Sequence, residues 1–347
     1  MVFARAREFF RVHKTPALGC VKAEEDGSAP SIRLSWVWTT AQHPDVNLGD
    51  ALSAVMVSAI AGLPVERASF GQKAERLAAV GTIGHAQHNG IVHFWGTGFD
   101  LKRDWHGALT GYRVPADTEL RIHAVRGRQT GQYLRGLGLD VPEIYGDPVW
   151  FLPRLFPFHD LGKDRELGVI VHISELDEAT AAGRVKASLV RYGLPAELAA
   201  SIRIINTYAP ASMAAMEAKI AEIVSCRRIL STSLHGLVIA ETYGIPCAWF
   251  ATYAGQSGYF ANDGDRPIDH RMIDFYGGAD REAVLTYCQP LHQPTDWDDA
   301  ISFIDQNWTP LDYDGKALFD AFPLKRAVRF SQKVWRRKPE LLENNPY

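Results

Sequence analysis

Apolar and polar positions along the chain change period repeatedly, and those changes predict the elements. Residues 32–38 (IRLSWVW) begin with apolar and polar residues in alternation, as in a half-buried strand. The polar run TTAQHPDVNLG then reads as a loop leading to a helix, in which Leu52, Val55, Met56, Ala59 and Ile60 recur at three- and four-residue spacing. Strands are predicted at 80–83, 91–94 and 119–125, followed by a helix over about 129–137 that Gly138 closes. Strand and helix in alternation predict a mostly parallel sheet covered on both faces.

Pro148, Pro153 and Pro157 interrupt this pattern and mark the predicted boundary, near residue 155. The pattern then restarts with a strand at 168–173, a helix at 177–192 and a strand at 201–206. Met213, Met216, Ile220 and Ile223 form an apolar stripe in a helix over 211–226, as core packing requires. A strand at 228–230 leads through Ser-Leu-His-Gly into a helix carrying Leu237, Val238, Ala240 and Glu241. Gly244 and Pro246 end that helix, and a strand follows at 247–250. The expected organisation is an N-terminal α/β domain (1–155), a C-terminal α/β domain (156–315) and a basic tail (316–347).

Composition adds limits. With 347 residues, 46% hydrophobic and 22% charged, the chain is of the soluble globular class and long enough for two domains. A net charge of -3 gives no general drive toward nucleic acid. Cys20, Cys226, Cys247 and Cys288 lack metal or redox spacing, which suits a reduced, cytoplasmic protein. His85, His88 and His93 have no chelating spacing, so no metal site is expected. Near the N-terminus, Arg5, Arg7, Arg11 and Lys14 surround Phe3, Phe9 and Phe10 without an apolar run of signal length. Residues 324–338 hold seven Lys or Arg and no acid. As a helix this segment would place Leu324, Val328 and Trp335 near one face, suited either to an anionic membrane surface or to docking on the first domain.

The chemistry concentrates where strands turn into helices, since ligands of open α/β sheets bind beyond the carboxyl ends of the strands. In 231–246 (STSLHGLVIAETYGIP) His235 falls in the first helical turn, where N-H groups and the helix dipole favour an anion. Asn47, Gly49 and Asp50 precede the helix of Leu52, and Arg126 ends the strand 119–125. Arg126 suits a phosphate or carboxylate through its planar fork, or forms a salt bridge. Asp50 suits a base, and Asn47 and Asp50 equally suit helix capping. His85 and His172 are acid/base or acceptor-binding candidates at strand ends, where histidines also serve only to satisfy backbone carbonyls.

The pattern S-x-S-L-H-G-L-x-x-A-x-x-Y-G-I-P resembles the C-terminal signature of the polysaccharide pyruvyltransferase family. Val46-Asn47-Leu48-Gly49-Asp50 with Leu52-Ser53, Ala124-Val125-Arg126-Gly127 and Tyr145-Gly146-Asp147-Pro148 match in the same order. The likeness is greatest to the bacterial branch that adds ketal-linked pyruvate to exopolysaccharides of the xanthan and succinoglycan type. It implies two Rossmann-like domains in a GT-B-like arrangement with an interdomain cleft. It further implies transfer of pyruvate from phosphoenolpyruvate, the donor substrate, to a hexose of a lipid-linked or polymeric repeat unit, with release of phosphate and no cofactor.

The expected donor-binding set is Arg126, Ser231, Ser233, Leu234 and His235, with His235 and Asp50 catalytic. Many family members have arginine where this chain has Ser233; Arg227, Arg228, Arg266 and Arg271 are the replacements at hand, the last two in a loop-like run (264–278). The expected place of action is the cytoplasm, at the inner face of the membrane. A GT-B glycosyltransferase using a nucleotide sugar, or a catalytically silent glycan-binding paralogue, would share the fold.

Overall fold

The computed structural model describes residues 18–22, 30–261, 268–343 and 347. The N-terminal basic and aromatic cluster (Phe3 to Lys14) and Arg266 lie outside the described residues. Two mostly parallel sheets organise the molecule. The first contains β1 (Val21–Lys22), β2 (Ser31–Ser35), β4 (Val65–Arg67), β5 (Arg76–Ala78), β6 (Gly90–Thr97) and β7 (Thr118–Val125). Its order is β1-β2-β5-β6-β7 with β4 also on β2, and β1 alone is antiparallel. Between the strands, β3 (Asp45–Asn47) runs into α1 (Leu48–Ala61), and α2 (Arg128–Gly136) follows β7.

After α3 (Leu152–Leu155) the second sheet is built from β8 (Leu167–Val171), β9 (Ile202–Asn206), β11 (Ile229–Ser231), β12 (Cys247–Ala251), β13 (Gly258–Ala261) and β14 (Ala283–Cys288). Its order is β13-β14-β12-β11-β8-β9, parallel except for β13. Every residue of β8 and β12 is buried, as expected of strands covered on both faces. The short β10 (Tyr208–Pro210), α4 (Met213–Val224), α5 (Leu234–Thr242), α6 (His270–Gly278), α7 (Trp297–Asn307), α8 (Lys316–Asp320) and α9 (Pro339–Leu342) complete the chain. Among the described residues, no helix is long and apolar enough to cross a membrane.

Five expectations are corrected. The strand expected at 80–83 lies at β5 instead, and 80–83 forms a bend in which Gly81 has φ 109°. Arg76 hid that strand, since its fully buried guanidinium is absorbed by the carbonyls of Phe70, His88 and Asn89 and by Gln87. The helix expected at 177–192 does not form. Instead Leu176 bridges Val185, and Gly183 turns so tightly that a Cβ there would lie 2.3 Å from the Glu178 carbonyl oxygen.

The loop expected before α1 contains β3, which pairs antiparallel with β10 of the second half. The run ending at Gly278 holds a helix, α6, capped by the Asp269 side chain, which accepts from Arg271 N. Finally, 324–338 is a chain of turns rather than a helix. Trp335 is buried against Phe151 and Phe319, while Leu324, Val328 and Phe330 pack on the main core. Backbone bonds from Ala327 N to Ile60 O (2.7 Å) and from Trp335 N to Arg154 O (2.7 Å) fix the segment to α1 and α3. The docked alternative therefore holds, without the helix.

One hydrophobic core contains residues of both sheets, from Ile32 to Tyr347. The proline-rich stretch around residue 155 contributes Val149, Phe151, Leu152 and Leu155 to it. Trp335→Ala should therefore cost about 3–5 kcal/mol, the range for emptying a buried aromatic site. Urea denaturation reads this directly, and an unchanged midpoint would show that the tail is not part of the core.

Candidate active site

In the second sheet the chain runs from β8 to β9 on one side, then crosses to β11 on the other side of β8. This reversal opens a crevice beyond the carboxyl ends of β8 and β11, the usual ligand position in open α/β sheets. His172 follows β8 and Thr232 follows β11, and the His172 N-H donates to Thr232 Oγ1 (2.7 Å) and to Glu175 Oε2 (3.1 Å). A pocket of about 480 Å³ opens there, bounded by His172, Thr232, Thr252, Trp249, Lys186 and Arg271.

Arg271 projects from the first turn of α6. Asp269 holds it through paired contacts (Nε to Oδ1 3.0 Å, Nη2 to Oδ2 2.6 Å), and its Nη1 donates to His172 Nε2 at 3.1 Å. Burial alone would raise Asp269, but the hydrogen bonds and charge of Arg271 override it and bring the carboxyl down to about 2. His172 titrates below the ordinary histidine value, first through burial and then through the adjacent Arg271. On the other side of the ring, Nδ1 accepts from the Ser174 N-H at 3.3 Å and lies 2.7 Å from Ser174 Oγ.

The second cluster lies where α1 and α5 meet. Gly49 packs so closely on His235 that a Cβ at position 49 would sit 2.1 Å from the imidazole Nδ1. Asp50, one residue on, receives a hydrogen bond from Asn47 Nδ2 at 3.0 Å. Asn47 occupies the N-cap of α1 without making a side-chain cap, and the Leu48 N-H donates to the Thr207 carbonyl. Burial raises the Asp50 carboxyl; His235, Asn47 and Arg271 pull it down, and Asp147 pushes it further up. His235 Nε2 faces Asp147 Oδ2 at 3.6 Å. Both atoms are buried, and neither makes a hydrogen bond among the described residues.

Of the residues singled out in the sequence, Asn47, Asp50 and His235 come together, and His172 joins Arg271, whose charge acts on Asp50. His85 stands on the first half, its Nδ1 accepting from Asp100 N (3.2 Å). Its pKa is lowered by burial, against the pull of Asp100, and further lowered by Arg103 and His270.

Arg126 is fully buried and committed to Asp274 (3.2 Å) and Thr82 Oγ1 (2.7 Å), so it joins the halves rather than lining the pocket. The Ser231 hydroxyl is used up within its own turn, donating to Ser233 O (2.8 Å) and accepting from Ser233 N (3.0 Å). Leu234 belongs to the core, and Ser233 is the N-cap of α5 without a side-chain cap bond.

Among the replacements for the missing arginine, Arg227 pairs with Glu166, and Arg228 with Asp305 and Glu166, ahead of β11 at the opposite end from the pocket. Of the three candidates among the described residues, Arg271 is the one that geometry places in the pocket. Asp147 was not picked out as a site residue. It was visible only as part of Tyr-Gly-Asp-Pro, where it caps the turn at Pro148–Phe151 through Oδ1 and keeps Oδ2 for His235.

Two mostly parallel sheets make this a mixed α/β fold, with a pocket at the carboxyl end of the second sheet and a histidine beside a buried carboxylate. Residues 85–253, just under half of the chain, match the family Polysaccharide pyruvyl transferase. The matched segment includes Arg126, Asp147, His172, Thr232 and His235, and leaves Asn47, Asp50 and Arg271 outside it. No curated protein matches the chain.

Two substitutions test this geometry. Gly49→Ala should displace the His235 ring and cost about 1–3 kcal/mol from overpacking, together with activity; retention of full activity would contradict the contact. Asp50→Asn should raise the melting temperature at neutral pH. A buried carboxylate with a raised pKa leaves the fold unpenalised below about pH 4, and its cost grows as pH climbs through the raised value. The gain should vanish in acid; a gain that persists at pH 3 would refute this origin.

Proposed function

We propose that this chain transfers pyruvate from phosphoenolpyruvate to two hydroxyls of a hexose in an exopolysaccharide repeat unit, forming a cyclic ketal and releasing phosphate. In this reading the two α/β halves form a GT-B-like pair and act in the cytoplasm on a lipid-linked or polymeric acceptor. The observation that carries it is His235, set between Asp147 and Gly49–Asp50 at the start of α5, close to a pocket that Arg271 and Lys186 line. Serine at 233 resembles the exopolysaccharide branch, and Arg271 supplies the charge that arginine at that position would bring.

The reaction needs one base, one acid and an anchor for the leaving phosphate. Asp50 takes the proton of the first sugar hydroxyl as its oxygen bonds to C2 of the donor, while His235 delivers a proton to C3. Asp147 stabilises the charged imidazolium form that makes this delivery possible. The C2–O bond to phosphate then breaks and phosphate leaves with the electron pair. The second hydroxyl adds to the same carbon, its proton passing to His235. Asp50 gives up its proton to phosphate, so one hydroxyl proton ends in the new methyl group and the other on phosphate. Arg271, with the His172 and Thr232 side of the pocket, holds the donor anion, and His85 lies on the acceptor side.

Thermal stabilisation separates this from nucleotide-sugar transfer on the same fold. Phosphoenolpyruvate at 100 times its Kd should stabilise the wild type by roughly 2.7 kcal/mol and should stabilise Arg271→Ala much less. His235→Gln should lose about 10²–10⁴ in kcat while still folding. Stabilisation by a nucleotide sugar with none from phosphoenolpyruvate would overturn the assignment.

A further inference from the structure

The C-terminal segment has lost its role as an amphipathic helix, but its charges remain. Arg326 pairs with Asp320, and Arg337 with Glu217 (2.6 Å). Among the described residues, Lys325, Arg329, Lys333, Arg336 and Lys338 have no carboxylate partner, and all five side chains are exposed. They sit on a backbone anchored by Trp335, so this is a fixed basic face rather than a loose tail. Val334 stands at its centre, 53% exposed.

Beneath this face is a cavity of about 210 Å³ between the end of α1, α3 and α9. Leu155, Val328 and Leu342 give it an apolar floor, and Arg336, Arg337 and Lys338 form its rim. At roughly 30 Å³ per liquid water it has room for about seven water-sized groups. The acids nearby are Glu217, already paired with Arg337, and Glu340 and Glu343 in and after α9. Three cations thus converge on an apolar slot, the arrangement that fits a phosphate joined to a hydrocarbon chain.

We infer that this face docks the protein on an anionic lipid bilayer, with a lipid phosphate held between Arg336 and Lys338 and its first methylenes in the cavity. Helix α1 connects the two sites, with Asn47 and Asp50 at its start and Ser58, Ala59 and Gly62 at the cavity. Its 14 residues span about 21 Å at 1.5 Å each. That separation leaves room for a short glycan between a membrane-held phosphate and the cleft. The docking itself does not depend on the reaction proposed above.

The experiment is flotation of the full chain with vesicles of phosphatidylcholine alone or with 30% phosphatidylglycerol. Binding should require the anionic lipid and weaken at high salt. Each basic residue near such a surface is worth about five-fold in partitioning, so the double substitution Arg336→Ala with Lys338→Ala should weaken binding about 25-fold. Both side chains are exposed and carry no ion pair among the described residues, and neither lines the pocket of Arg271. The double variant should therefore keep the wild-type melting temperature and its activity on a water-soluble acceptor. Equal binding to neutral vesicles, or unchanged binding by the double variant, would overturn the inference. So would release by millimolar inorganic phosphate, which would mark a site for free anions only. A wild type that binds vesicles but is not stabilised by phosphoenolpyruvate would instead fault the functional reading alone.

Discussion

The buried ion pair between Arg126 and Asp274 is the constraint on which the arrangement of the two sheets depends. Arg126 leaves the carboxyl end of β7 in the first half, and Asp274 belongs to α6 in the second. Asp274 also receives the backbone N-H and the hydroxyl of Thr130, so its oxygens are fully used. Removing one member of such a pair strands a charge in the interior, at a cost of about 3–5 kcal/mol. The approach around it is tight. A Cβ at Gly98 would lie 2.3 Å from the guanidinium carbon, and one at Gly127 would lie 1.6 Å from the Asp274 carbonyl oxygen. Because α6 also carries Arg271, the same contact that joins the sheets sets the position of one of the pocket's cations.

This places two charged residues of similar sequence appearance in different trades. Arg126 looked suited to an anion because its chemistry is that of an anion binder; its guanidinium is fully buried, with Nε on Asp274 and Nη1 on Thr82, while Nη2 makes no hydrogen bond among the described residues. Arg271 also has a carboxylate partner, yet it reaches the pocket, contacts His172 and acts on Asp50. Burial separates the two, and burial of a single arginine is not written in local sequence.

Periodic elements were legible and tertiary exceptions were not. Helices α2 and α5 were closed by Gly138 and Gly244, and α1 and α4 followed from their apolar spacing, because burying one face of a helix leaves a repeating mark. So did β7, β8, β9 and β12. β5 escaped because its first residue is an arginine neutralised by backbone carbonyls. The absent helix at 177–192 had helical composition, but Gly183 and a bridge between Leu176 and Val185 favour a turn. At the site, the helix start at His235 and the Asn47–Asp50 pair were readable from motif spacing. Asp147 was not, since its capping of a short turn gave sufficient reason for a carboxylate there.

The three-residue ladder between β3 and β10 has a further meaning for motion. Asn47 pairs with Tyr208, and the first N-H of α1 is bound to Thr207, so the start of α1 is stitched to the second half although its body packs in the first. Any movement of the first half against the second must then carry the start of α1 with β10, so that Asn47 and Asp50 keep their places beside His235.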